Sequence, residues 1–264
     1  MLNYTAGHPI AELANQLPSV IQGFEEFIPT ESPPPNEAYT LDITQLEAYV
    51  YVMWLLALCK LLGHAELIPT VLSWLDRRAE WNRGRDAIFE QIVKKLTGDM
   101  VDAGRQALHI EAYRPLGHAI LAEDPANRPA LVKEFVEGWY KHMKDCYWHG
   151  THSEGSVSYF GYWSLEAALV TYLWDIDDSS YRDHLVYPKD LVDFARGLPS
   201  STPQTPRCPG GEACPRTGWW HTPQQRICAA TSTRATPCPI SKAAAMATPT
   251  GCGMRIRIAR GCKP

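Results

Sequence analysis

"NRPALVKEFVEGWYKHMK", residues 127–144, decides the fold class. Leu131, Val132, Phe135, Val136, Trp139 and Met143 recur at helical spacing and share one face, while Lys133, Glu134, Glu137, Lys141 and Lys144 take the other. Asn127 stands where an N-cap belongs, and Pro129 falls in the first turn, where no N–H is needed. The same period runs upstream. In "DAIFEQIVKKLTG" (86–98) the stripe is Ile88, Phe89, Ile92, Val93 and Leu96, with Lys94 and Lys95 at the negative helix end and Gly98 beyond it. Leu67, Ile68, Val71, Leu72 and Leu75 form a stripe one helix earlier. Downstream, "YWSLEAALVTYLW" (162–174) is apolar nearly all round, as a central buried helix is. "PKDLVDFARG" (188–197) then opens on Pro188, turns Leu191, Val192, Phe194 and Ala195 inward and stops at Gly197. No stretch of residues 1–198 sustains strand-like alternation or carries a hairpin turn between β-branched runs. The body reads as an all-α multi-helix bundle.

A chain of 264 residues that is 45% hydrophobic can bury a substantial core. Its net charge of −4 hides a division: residues 1–198 hold 28 acidic and 16 basic side chains and stand at −12, whereas 199–264 hold one acid and nine bases and stand at +8. A body this acidic repels nucleic acid and favours a basic partner. Cysteine divides at the same place. Cys59 and Cys146 sit alone in apolar surroundings, as buried thiols do, and the other six lie in the tail. The N-terminus shows no secretory pattern, and the strongest apolar run, "YVYVMWLLALC" (49–59), is too short for a bilayer. The expectation is a cytoplasmic protein without membrane contact. Three segments follow: 1–40, a helical stretch with the proline-rich connector "ESPPPNEAY" (31–39); 41–198, the helical domain; and 199–264, the tail.

After Gly197 the composition turns to Pro, Thr, Gly and Cys, with Trp219 and Trp220 as the apolar anchor. From Arg226 on, 39 residues contain no Asp or Glu and no apolar period. The six tail cysteines form no C-x-x-C pair, which argues against zinc. The expectation is a non-globular tail, disordered or the out-of-frame product of GC-rich DNA.

"WDIDDSSYRDH" (174–184) concentrates Asp175, Asp177, Asp178 and Asp183 directly after the apolar helix. Aspartates at a helix C-terminus oppose the macrodipole, so they are paired internally, with Arg182 or Lys189 as candidates, or face an external partner. The cluster lacks the glycine and closing Glu of a calcium loop. "YWHGTHSEG" (147–155) offers His149, His152 and Glu154 in a glycine-containing loop rather than on a helix face. A metal-dependent hydrolase built from Asp175, Asp177 and Asp178 with His149, His152 or His184 is the alternative function. No nucleophile elbow, phosphate loop or dinucleotide fingerprint is present.

The stretch "GTHSEGSVSYFGYWSLEAALVTYLWDIDDSSYRDHLVYPKDLVDFAR" (150–196) resembles the signature region of the PoNi-type immunity proteins. It shows in order their Tyr-Phe-Gly-Tyr-Trp block, Glu-Ala-Ala helix, Asp-Ile-Asp-Asp-Ser turn and Tyr-Pro-Lys-Asp-Leu-Val helix. "LEAYVYVMWLLALCKLLGHAELIPTVLSWLD" (46–76) looks more loosely like their preceding helices, and "RCPGGEACPRTGWWHTP" (207–223) resembles a Trp-Trp tail module of related immunity proteins. The resemblance implies an all-α, non-enzymatic protein without catalytic residues, metal or cofactor. It implies a partner, the cognate PoNe nuclease toxin delivered by type VI secretion, which the protein binds so that the producer's DNA survives. It also implies a further helical stretch ahead of "YTAGHPIAEL" (4–13). The acidic body suits a basic nuclease face. Glu154, Asp175, Asp177, Asp178 and Asp183 are the expected toxin-binding residues, and no direct contact with nucleic acid is expected.

Overall fold

The computed structural model describes residues 1–27, 41–76, 82–153, 159–197, 218–221 and 227–230. The larger unit runs over Pro9–Gly150 and Gly161–Ser201. It contains α2 (Ile10–Phe27), α3 (Leu46–Leu61), α4 (Ile68–Asp76), α5 (Ala87–Thr97), α6 (Ile110–Leu121), α7 (Arg128–His142), α8 (Leu165–Leu173) and α9 (Lys189–Ala195). Among its described residues there is no strand, in agreement with the all-α reading.

Two helices form the centre. The apolar run 49–59 becomes α3, and its residues from Ala48 to Cys59 are buried apart from Tyr51. On α8 every residue from Leu165 to Thr171 is buried. Such all-round burial is what sequences without a polar face require. α3 and α8 pack against each other, and the α6–α7 hairpin covers them with Tyr113, Leu116, Phe135, Val136 and Trp139. α5 lies close to α6 because Gly117 has no side chain: a Cβ there would stand 2.7 Å from Ile88 Cδ1. α2 buries Ile10, Ala14, Leu17 and Ile21, and its Phe24 ring lies 6.1 Å from that of Trp74 on α4. No described helix is long and apolar enough to cross a membrane.

The start of α5 anchors the chain on either side of it. Asp86 caps the helix by accepting from Phe89 N (2.7 Å) and also takes Leu108 N (2.7 Å) and the Tyr49 hydroxyl (3.2 Å). Glu90, one turn on, accepts from Gly84 N, Val101 N and Arg83. Burial alone pushes the Glu90 carboxyl up, but the Arg83 guanidinium and the two backbone donors outweigh it and hold it below the usual range. Gly98, at φ 92°, closes α5 in the left-handed conformation expected of it.

The α7 start differs from the sequence expectation. Pro125 opens a short 3₁₀ turn, Pro125–Asn127, ahead of the helix, so the capping carboxylate is Asp124, which accepts from Ala126 N at 2.9 Å. Asn127 is already helical and makes no side-chain cap bond. In α9 it is Leu191, Val192 and Asp193 that are buried, while Phe194 and Ala195 are partly exposed.

The smaller unit is assigned Met1–His8, Thr151–Phe160 and Thr202–Pro264. It contains α1 (Leu2–Thr5), where Thr5 Oγ1 donates to Phe160 O at 2.6 Å. It also contains an antiparallel pair, β1 (Gly218–His221) and β2 (Ile227–Ala230), with Trp219 opposite Ala229 and Trp220 opposite Cys228. No strand is expected there from the sequence pattern. The rest of the tail, the proline-rich connector and Glu154 lie outside the described residues.

Candidate functional site

The aspartate stretch begins where α8 ends. Trp174 is the C-cap, Asp175 N donates to Tyr172 O (3.3 Å) and Ile176 N to Thr171 O (2.9 Å), the paired bonds of a Schellman ending. That ending needs a left-handed residue just past the cap, where glycine or asparagine is usual. Asp175 takes the position at φ 49° and is the non-glycine residue with positive φ among those described. Its carboxylate is 99% exposed, with Arg196 at 4.0 Å.

The next carboxylates alternate between outward and inward. Asp177 is exposed and accepts from the backbone N and hydroxyl of Ser179, both at 3.0 Å; these bonds lower its pKa. Asp178 turns inward and is buried. It accepts from Arg182 (3.0 Å) and the Tyr187 hydroxyl (3.2 Å), and Arg196 lies 3.6 Å away. Arg182 also donates to the buried Asp193 of α9, and Arg196 donates to Ile176 O at 2.8 Å. Two carboxylates and two guanidiniums thus fasten the loop between α8 and α9. Ser164 N donates to Val186 O (2.8 Å), which ties the loop's far end to the start of α8. Asp183 is exposed and pairs with Lys189 at 2.7 Å. Of the two internal partners expected, Arg182 holds Asp178 and Lys189 holds Asp183; Arg196 and Asp193 complete the network.

Beside the exposed aspartates lies a groove of about 320 Å³, between the residues Pro125–Pro129 that open α7 and the residues Trp174–Asp177 that follow α8. Arg128 lines it, but its guanidinium donates to Ala119 O (3.2 Å) and Ala122 O (3.3 Å), the carbonyls ending α6. Lys95 Nζ stands 5.3 Å from the centroid of the Trp174 ring.

His149 and His184, two histidines of the hydrolase alternative, have other contacts. The His149 ring stacks on Tyr140 at 4.2 Å. His184 Nδ1 accepts from Val186 N (3.4 Å), and burial lowers its pKa. Among the described residues no group of three His, Cys, Asp or Glu side chains is arranged to hold a metal ion. Burial raises both Cys59 and Cys146 to about 12, so neither is an activated thiol.

Among the described residues, the carboxylate raised furthest, Glu166, is one that the sequence reading does not single out. Glu166, fully buried in the first turn of α8, accepts from the Tyr113 hydroxyl (2.8 Å) and from the indole N–H groups of Trp54 (3.1 Å) and Trp139 (3.4 Å). These donors come from α6, α3 and α7, so one side chain joins four helices. No guanidinium or ammonium is among its hydrogen-bond donors, and burial lifts its pKa from 4.5 to about 7 against the pull of the hydrogen bonds. The signal in the sequence was a lone Glu inside an apolar helix, which cannot stay buried without donors.

Residues 84–191, which run from the chain before α5 into α9 and include Glu166, Asp175, Asp177, Asp178 and Asp183, match the family model described as PoNe immunity proteins (PoNi), C-terminal. No curated protein and no solved structure matches the chain. Over residues 84–191 the chain is therefore similar to the C-terminal domain of the PoNe immunity proteins.

Proposed function

We propose, from that family match, that this chain binds a cognate PoNe-type nuclease stoichiometrically and stops it from cutting the producing cell's DNA. The match over 84–191 carries the reading. The setting proposed with it is competition between bacteria, with a toxin delivered by type VI secretion and neutralised in the cytoplasm. The chain acts by association rather than by catalysis. The −12 charge of residues 1–198 supports a basic partner surface, because complementary charge speeds encounter and rejects wrong partners. Asp175, Asp177 and Asp183 are proposed as contacts because their carboxylates reach solvent; Glu154, outside the described residues, is proposed with them from its place in the signature stretch. Asp178 contributes from behind, by fixing the loop that presents them.

The test is co-purification of the full chain with the nuclease encoded beside it, followed by a DNA-cleavage assay. A one-to-one complex without cleavage is expected. A well-folded chain that neither binds that nuclease nor slows cleavage rejects the reading.

A further inference from the structure

We infer that the groove between the start of α7 and the end of α8 receives one arginine or lysine side chain of the toxin, as an anchor of the complex; this rests on the immunity reading. Pro125, Pro129 and the Trp174 ring supply apolar walls for the methylene stem of a long basic side chain. Asp175 and Asp177 stand at the same groove with exposed carboxylates, where the charged head would rest. Arg128, which lines the groove, directs its guanidinium to the Ala119 and Ala122 carbonyls rather than to the aspartates, and Arg196, 4.0 Å from Asp175, leaves that carboxylate 99% exposed. Ser179 leaves Asp177 free acceptor positions, because an ionised carboxylate accepts about four hydrogen bonds. Trp174 already attracts a cation, Lys95, to its ring. An anion is disfavoured by both aspartates. A nuclease, whose DNA-binding face must be basic, offers the complementary side chain.

The groove can be closed without touching the core, because Ala126 is exposed and its backbone N–H is the group that Asp124 caps. The experiment measures association of the full chain with the cleavage-inactivated nuclease encoded beside it, for wild type, Ala126→Trp and the pair Asp175→Asn with Asp177→Asn. Ala126→Trp is expected to weaken binding about tenfold or more, mainly through faster dissociation. The double asparagine variant is expected to lower the association rate several-fold and to flatten its salt dependence. Circular dichroism melting checks both folds, and if Ala126→Trp unfolds, the double variant alone decides. Wild-type binding that both folded variants reproduce overturns the groove assignment and leaves the immunity reading standing. Absence of wild-type binding removes both. Self-association of the free chain that Ala126→Trp abolishes, with nuclease binding intact, assigns the groove to a second copy and also overturns the proposal.

Discussion

Glu166 and Asp178 are both buried carboxylates, one at the start of α8 and the other just past its end, and their surroundings treat the charge in opposite ways. Glu166 is met by three neutral donors, on helices that must stay packed for the donors to reach it. Asp178 is met by two guanidiniums and a hydroxyl, in a loop whose outer residues face water. The first arrangement joins helices and leaves the carboxyl easy to protonate; the second pairs its carboxyl with guanidiniums and fastens a surface loop. The difference teaches where each acid can act. A carboxyl surrounded by neutral donors in the core serves the fold, whereas ion pairs at the rim let nearby Asp175 and Asp177 remain exposed.

The largest effect expected from breaking this contrast is that of Glu166→Ala. It leaves the Tyr113 hydroxyl and the Trp54 and Trp139 indoles without their acceptor and opens a cavity, at a cost of about 4 kcal/mol in chemical denaturation. An unchanged midpoint would show that those donors do not depend on Glu166.

Next comes pH. The folded state holds the Glu166 proton more tightly than the unfolded chain, so its contribution is complete below pH 4.5 and is lost as pH rises through about 7. Linkage puts the loss at roughly 3 kcal/mol. His184 and Glu90, both lowered, act the other way, since each contributes stability that is lost as pH falls. The difference between wild type and Glu166→Gln isolates the Glu166 component, and parallel pH curves for the two would contradict it.

Arg182→Met strikes the second arrangement, removing the shared partner of Asp178 and Asp193. The expected loss is about 2 kcal/mol, moderated because Arg182 is partly open to water and Arg196 remains near Asp178. The smallest effect has the opposite sign. Asp175→Gly relieves the left-handed backbone and should raise the melting temperature by about 2–4 °C. A lower melting temperature would mean that the Asp175 side chain supports the loop.

Much of this fold was legible because burial leaves a periodic trace. The stripe is buried from Val132 to Met143, and the nearly all-apolar α8 from Leu165 to Thr171, as their patterns require. Features set by geometry rather than by residue type were not legible. Asp124 and Asn127 are both suitable caps, and only the extra 3₁₀ turn at Pro125 selects the first. Asp175, Asp177 and Asp178 look equivalent in a string, but the Schellman turn points two of them outward and one inward. Asp193 reads as a surface residue until Arg182 is seen to reach it from the preceding loop. The four-residue strands are too short for alternation to stand out from chance.

The indoles around Glu166 give the molecule an internal light source. Trp139 and Trp148 stack with centroids 5.4 Å apart and planes 18° from parallel, and the Trp54 ring lies 5.4 Å from that of Trp148. Trp54 and Trp139 are also the two indoles that donate to Glu166. A proton leaving that carboxyl therefore changes the electric field at two coupled chromophores, so the emission and near-ultraviolet dichroism of the folded protein titrate with a residue that solvent does not touch.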